Sequence, residues 1–581
     1  MKTTFCRSIG RVWLFAALAS LGLMWGCAPK AVVLPPATKE APAPPDTSFT
    51  RSVPTVGTKA MVVSAHPLAS QVGAQILNSG GNAIDATLAT VAALNVVEPH
   101  ASGLGGGGFL LYYDAARDSF AILDYRERAP ARLERTGYFQ PTDSQHVVQR
   151  SGATSVLVPG SPAGWQAMHS RFGTKLLADL LAPAIALADT GYAVSEKQSA
   201  MILDYIADLQ ADSNLARVFL SDGLPLQPGQ KLKQPRLATM LKFLSRTRLE
   251  NLYYPPYSDY IVRALRKGGS FIRNDDLLSY RVRERQPLRG TYHGYEIITL
   301  SPPSSGGTAL LEILKILEPL DLKNTGHLSP DYIQAVASAS RQALKDADTW
   351  ISDPDFARVP SEQLLSDDWT SEARSRLRTD SVPDRLPAMD SLRAFGKGNT
   401  THVVVVDSAG NMASLTQSIN YFFGSEVIVP ELGLLMNNHM ADFAIDSTSR
   451  KVMAPNRRPP SNMAPTIVRK DGKPVLVIGS PGGARIAPTL AQVLIDVLDF
   501  EMPLNEAMNA PRFFPAGKTL VVESRVPQTT LDALAAKGWK IYPYGTINSF
   551  FGGVHAIQFD PTSHSLIGAA DPRRDGAAAG Q

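Results

Sequence analysis

The stretch Gly398-Asn399-Thr400-Thr401-His402 sets two hydroxyls and an imidazole at the head of an apolar run, Val403 to Val406, closed by Asp407. Taken alone it reads as a β-strand with a polar start. A threonine hydroxyl is a weak nucleophile at neutral pH and does chemistry only beside a proton acceptor. Further polar groups follow downstream: Ser418 and Asn420, His439 and Asp442, Ser461 and Asn462, and the pair Gly482-Gly483. A glycine pair ahead of a helix reads, on its own, as a tight turn. Other nucleophiles have less support. No G-x-S-x-G surrounds Ser480 or Ser161. Both cysteines, Cys6 and Cys27, lie in the N-terminal segment, so the folded body holds no thiol nucleophile, disulfide or thiolate metal site. The ten histidines form neither His-x-x-x-His nor His-Glu-x-x-His, and no metal site is expected.

These groups need a scaffold. Residues 67–78 and 82–97 carry helical periodicity, with Gly80-Gly81 as a stop between them. The glycine run 103–108 precedes a strand, Phe109 to Tyr113, and Ile122 to Tyr125 reads as its partner, ending at Arg126. The run satisfies G-x-G-x-x-G, but a dinucleotide site needs a strand before it and a helix after it. Here the order is reversed, so the glycines are assigned to close packing or positive φ. Residues 175–350 look mostly helical, and 378–399 look charged and loop-like. From Thr400 the texture turns to β. Thr401–Val406 and Met412–Ile419 read as strands joined by a turn through Gly410-Asn411, followed by strand 475–478, helix 488–498 and strand 554–558.

A chain of 581 residues exceeds one hydrophobic core, and 44% apolar with 19% charged residues is globular composition. The net charge of +4 includes Lys2, Arg7 and Arg11 of the N-terminal segment, without which it is about +1. No basic run points to nucleic acid. Residues 1–27 form a basic start, an apolar stretch too short to span a membrane, and Gly26-Cys27. Two readings stand: an ordinary signal peptide, or a bacterial lipoprotein signal with Cys27 lipidated. The second is favoured, and it places the protein on the periplasmic side of a bacterial envelope. Residues 28–58 are rich in Pro and Ala, as a tether would be.

Several motifs, correctly ordered from about Lys59 to the C-terminus, resemble the γ-glutamyltransferases, a family of N-terminal nucleophile hydrolases. They are Leu123-Asp124-Tyr125-Arg126-Glu127, Asn399-Thr400-Thr401-His402, Ser418-Ile419-Asn420, the run Asn437 to Phe443, Pro455 to Pro459, Ser461 to Thr466, Gly479 to Gly483, and Ala570-Asp571-Pro572-Arg573. The resemblance implies a four-layer α/β/β/α sandwich whose sheets draw on two subunits. It implies that the precursor cuts itself at Asn399–Thr400, giving a large subunit, 59–399, and a small one, 400–581, that stay together as a heterodimer. Thr400 would then be the nucleophile, and its freed α-amino group, with a reference pKa of about 7.7–8.0, the base. This asks nothing of His402, which is expected to be a strand-end histidine. By the same resemblance Ser418 orients the nucleophile and Gly482 and Gly483 hold the oxyanion. Arg126, Ser461 and Asn462 take the substrate α-carboxylate, and Asn420, His439 and Asp442 take its α-ammonium. No cofactor is implied. The donor would be glutathione or a related γ-glutamyl amide, and the acceptor water, an amino acid or a peptide.

The sequence departs from that pattern at a few positions. His439 stands where relatives carry Gln or Glu, Asn462 replaces a second Ser, Ala441 replaces an acid, and 444–454 is shorter than in lid-bearing relatives. The nearest rival activity is that of relatives that remove glutaryl side chains from β-lactam intermediates. Glutaryl lacks the ammonium, so Asp442, expected to be buried, favours the γ-glutamyl head. Two more readings stay open: a hydrolase without an acceptor site, and a non-catalytic envelope lipoprotein.

Overall fold

The computed structural model describes residues 51–138, 148–377 and 398–581. Cys27, the signal segment and most of the tether lie outside these residues, as does 378–397 of the expected loop.

The apolar run after Thr400 explains the architecture. In the strand Gly398–Val406 alternate side chains face opposite ways, yet all four valines are buried. Val404 and Val406 meet Ile467, Val477 and Ile557 in a core shared by two sheets. Val403 and Val405 join a second core, built with the helices Ala83–Val97, Leu177–Thr190 and Pro235–Ser245. A third core packs Val468, Leu476 and Ile478 of the other sheet against Gly306–Leu317, Pro330–Trp350 and Ile486–Leu498. Helices, sheet, sheet and helices therefore stack in four layers, as the resemblance implies.

Each sheet has seven antiparallel strands. The first runs Ala577–Gly580, Met61–Ser64, Gly398–Val406, Met412–Tyr421, Gly107–Asp114, Ser119–Asp124, Arg283–Arg285. The second runs Thr55–Gly57, Leu566–Ala570, His555–Phe559, Lys473–Gly479, Thr466–Lys470, Tyr295–Thr299, Leu288–Tyr292. Both mix strands from before Asn399 with strands from after it.

The helices Pro67–Asn78 and Ala83–Val97 fall where periodicity places them, the second opened by an Asn82–Asp85 capping box. The ordered body starts before Lys59. Thr55–Gly57 pairs with Leu566–Gly568, and Ser52 donates its backbone N–H to Asn509 Oδ1 at 2.8 Å. A three-residue edge strand is too short to carry an alternation signal. Tyr295–Thr299, inside the stretch read as mostly helical, is likewise a sheet strand.

One buried carboxyl departs from the apolar plan. Glu312, on the central Gly306–Leu317 helix, is fully buried beside Asp346, which accepts from Trp369 Nε1 at 3.1 Å. Burial, then the neighbouring Asp346 carboxyl, push the Glu312 carboxyl up to about 10. An acid whose folded pKa is raised contributes its stability fully below about pH 4.5 and loses it as pH rises toward 10. Glu312→Gln removes that loss at nearly the same volume. Thermal melts of the variant and the parent are expected to coincide at pH 4.5 and to separate at pH 8.5, with the variant several degrees higher. A variant that melts lower at both values would contradict the raised pKa.

Candidate active site

The strand Gly398–Val406 is irregular at one place. Its register with Met412–Tyr421 slips by one between Asn399 and Thr401: Thr400 stands opposite two residues, Ser418 and Ile419, so the bulge lies on the partner strand and aims Ser418 at Thr400. A bulge re-aims a side chain without breaking the strand. Thr400 Oγ1 lies 3.4 Å from Ser418 Oγ, and the Thr400 backbone N–H donates to Asn399 Oδ1 at 3.0 Å. Ser418 Oγ donates to the Asn399 carbonyl at 2.5 Å. The carbonyl of the bond that would be cut is thus polarised by one hydroxyl, with a second beside it. The Ser418 hydroxyl in turn accepts the Asn420 backbone N–H at 2.7 Å, which fixes its rotor.

The glycine run holds Ser418 in place. None of residues 103–108 has positive φ. Their role is close approach: a Cβ on Gly106 would stand 2.1 Å from the Ser418 carbonyl oxygen, and one on Gly105 1.9 Å from that of Leu435. Of the two expectations for the run, close packing is the one found.

Arg126 follows the strand Ser119–Asp124, where its backbone N–H donates to Asp124 Oδ1 at 3.0 Å. The buried Asp124 also binds Arg285 and Arg458, at 3.1 and 3.3 Å. The guanidinium is buried. Its Nη2 donates to Asp442 Oδ2 at 2.5 Å and to the Pro460 carbonyl at 2.8 Å, and its Nη1 lies 3.5 Å from Glu127 Oε2. Asp442 closes a 3-10 turn, His439–Asp442, and its side chain is 26% exposed rather than buried as expected. The exposed edge faces Asn420, whose Nδ2 donates to Asp442 Oδ1 at 3.3 Å. Asn420 has φ +81°, a conformation that asparagine tolerates better than most residues. His439 is buried. Its Nδ1 lies 2.9 Å from Glu127 Oε1 but outside hydrogen-bond alignment, and its Nε2 lies 3.9 Å from Asp442. Asn437 anchors the turn by donating to the Gly105 and Leu157 carbonyls and accepting the His439 N–H.

Ser461 is buried and follows Pro460, the residue that Arg126 grips. Its carbonyl accepts from the Ser305 N–H at 2.7 Å. Asn462 is exposed, and its Oδ1 accepts from Ser305 Oγ at 3.1 Å. Gly482 and Gly483 have φ +139° and +59° and form the turn between Lys473–Gly479 and the helix Ile486–Leu498. Both conformations suit glycine, and the turn packs against the strand that carries Thr400. It leaves N–H groups at a helix start, where negative charge is favoured.

His402 lies inside its strand rather than at the end. It is buried between the sheets, with Nδ1 2.8 Å from Thr416 Oγ1, its ring on Gly479 and parallel to that of His555. Burial holds its pKa well below the usual value, so it stays neutral and structural. Asp571 and Arg573 of the closing motif are also structural. They form a fully buried network with Arg512 and Glu523, in which Arg573 meets Glu523 at 2.7 Å and Arg512 meets Asp571 at 2.5 Å.

Two site residues are not evident from the sequence. Arg574 Nη1 donates to Asn399 Oδ1 at 2.6 Å, and Glu98 Oε1 lies 3.7 Å from the same nitrogen. Burial, opposed by Arg574, raises the Glu98 carboxyl to about 7. The available signals are slight: an acid after the apolar Val96-Val97, and a second arginine after the closing motif. Among the described residues, no group of three His, Cys, Asp or Glu is placed to hold a metal ion, and no helix is long and apolar enough to cross a membrane.

The family model described as gamma-glutamyltranspeptidase matches residues 69–581. The acylase ACY 1 proenzyme of Pseudomonas sp. (strain SE83) is 36% identical over 546 residues, covering 92% of this chain and 96% of that protein. The glutathione hydrolase proenzyme of Bacillus subtilis (strain 168) is 34% identical over 563 residues, covering 93% and 94%. The crystal structure of cephalosporin acylase from Bacillus halodurans superposes with a TM-score of 0.82 at 28% identity, covering 94% of this chain and 99% of that one. Extent of match, shared architecture and proenzyme relatives agree: this chain belongs to the gamma-glutamyltranspeptidase family of N-terminal nucleophile hydrolases.

Proposed function

We propose that the protein is a γ-glutamyl hydrolase and transferase that matures by cutting itself between Asn399 and Thr400. The observation that carries the substrate reading is the Arg126–Asp442 pair, a buried cation and a partly exposed anion 2.5 Å apart beside Asn420. An α-amino acid head carries both complementary charges. Its carboxylate replaces Asp442 on the arginine fork, and its ammonium takes the carboxylate that is released. Charge is matched before and after binding, so neither ion is left alone.

In maturation, Thr400 Oγ attacks the Asn399 carbonyl carbon, whose oxygen already accepts the Ser418 hydroxyl. The C–N bond breaks, an ester forms, and water hydrolyses it to a large subunit ending at Asn399 and a small one starting at Thr400. The freed α-amino group then serves as base for the same hydroxyl in catalysis. Thr400 attacks the γ-carbonyl of glutathione or a related amide, and the N–H groups of Gly482 and Gly483 take the oxyanion. The amine leaves, and water or an amino acid or peptide takes up the acyl group.

A glutaryl-type acylase is the second reading. Relatives named acylase match this chain about as well as those named glutathione hydrolase. His439 bears on it, since its ring lies 3.9 Å from Asp442, beside the carboxylate that the γ-glutamyl reading gives to the ammonium.

The self-cleavage step is tested on denaturing gels of protein expressed from residue 28. The parent should yield a fragment whose sequence starts Thr-Thr-His-Val, and Thr400→Ala should stay whole. Ser418→Ala should cleave about a hundredfold or more slower, the usual cost of one lost oxyanion donor. An uncut but folded parent would refute the assignment.

The substrate reading is tested by comparing kcat/KM for a γ-glutamyl and a glutaryl p-nitroanilide. The γ-glutamyl compound should be favoured at least tenfold, and Asp442→Asn should reduce that preference mainly through KM. Faster glutaryl hydrolysis would transfer the assignment to the acylase reading. Addition of a dipeptide acceptor should raise the rate and yield the γ-glutamyl dipeptide.

A further inference from the structure

A cavity of about 940 Å³ opens beside Asn399, with walls distinct from the Arg126–Asp442 head pocket. Three buried polar groups on its wall have hydrogen-bonding atoms without partners: Glu98 Oε2, His100 Nδ1 and Arg574 Nε. The Arg574 side chain is 9% exposed, and its one side-chain hydrogen bond goes to Asn399 Oδ1 at 2.6 Å. Gly553 lets the backbone press on it, since a Cβ there would stand 2.7 Å from Arg574 Cγ. The neighbouring Gly552 lies against Gly482, so one Gly552-Gly553 segment touches both Arg574 and the turn. Aromatic rings line part of the remainder, with Phe422 between His100 and Tyr205 at centroid distances of 5.8 and 5.3 Å.

Position along the chain relates the two pockets. Ser418 meets Thr400, Asn420 meets Asp442, and Phe422 lines the cavity, all in one stretch after the Met412–Tyr421 strand enters the site. Arg574, in hydrogen-bond contact with Asn399, brings this cavity up to the residue before Thr400, so it can receive the part of a substrate that a head held on Arg126 and Asp442 leaves outside.

We propose that the cavity is the subsite for the amine half of the reaction, and that Arg574, held by Glu98, binds the carboxylate of the leaving or accepting amino acid or short peptide. This rests on the γ-glutamyl reading above. In the uncut chain Asn399 Oδ1 holds that place. Self-cleavage turns Asn399 into a chain end bearing a carboxylate, and its departure gives Arg574 to the substrate. The step balances simply. The amine nitrogen bonds to the ester carbonyl carbon, the C–Oγ bond of the acylated Thr400 breaks, and the proton lost by nitrogen passes through the α-amino group to Oγ.

The experiment uses the processed wild-type protein and three donors: glutathione, glutathione with its terminal carboxylate converted to the amide, and γ-glutamyl-p-nitroanilide. A charge-assisted contact with a buried arginine predicts kcat/KM at least tenfold higher for glutathione than for its amide, expressed mainly in KM. Dipeptide acceptors should outperform their amides by a similar ratio. Arg574→Gln, once processed, should bring both ratios near one, and Arg574→Lys should keep part of each. Equal kcat/KM for acid and amide in the wild type would overturn the proposal, even if the variants fail to process. Failure to hydrolyse any of the three donors would instead overturn the γ-glutamyl reading on which it rests. Hydrolysis of the p-nitroanilide with no preference for the acid would overturn the subsite alone.

Discussion

The hydrogen bond from Ser418 to the Asn399 carbonyl is the constraint around which the rest is arranged. It forms only if the strands Gly398–Val406 and Met412–Tyr421 pair with a one-residue slip at Thr400. That slip requires regular pairing on either side, supplied by Met61–Ser64 on one flank and Gly107–Asp114 on the other. Pairing with the latter requires the glycine run, because any side chain on Gly106 would collide with Ser418 itself. Buried valines on both faces prevent the strand from sliding, since a further slip would exchange the two cores.

A second principle is charge placed where water is absent. Asp124 gathers Arg285 and Arg458, and the pair Asp571–Glu523 gathers Arg512 and Arg573. Around Asp571 the arginines hold the carboxyl well below its usual range despite complete burial. In these networks acids and arginines answer one another, and Asp124, Asp571, Glu523 and Arg573 are fully buried. The Arg126–Asp442 pair differs because one member keeps an exposed edge. A buried ion pair with a solvent-facing edge can exchange partners, which suits a binding site better than a scaffold.

Much of this was legible in the sequence, for identifiable reasons. The paired helices before residue 98 and the strands after Thr400 carry strong periodicities and turn residues. The polar site was legible as ordered motifs. Asp124, Asn437 and Arg458 belong to those motifs but act as struts. The edge strand Thr55–Gly57 was not legible, because backbone pairing with residues some 500 positions away leaves no local pattern. Glu98 and Arg574 were missed for the same reason, since their meeting at Asn399 joins three distant parts of the chain. His402 was placed at a strand end because sequence does not reveal which face of a strand meets a second sheet.

The mixed origin of the strands in both sheets has a consequence beyond catalysis. Before the cut, refolding is a unimolecular search by one chain. With the cut proposed between Asn399 and Thr400, Met61–Ser64 and Thr401–Val406 are neighbours in a sheet but belong to separate chains. Unfolding then releases two partners, and recovery becomes a second-order encounter whose success falls with dilution. Each fragment alone lacks the strands that cover its own edges and would meet other fragments through them. A chain cut there depends more on the height of its unfolding barrier than an uncut one does. The proposed cut, in this sense, exchanges a one-chain refolding for a two-chain one.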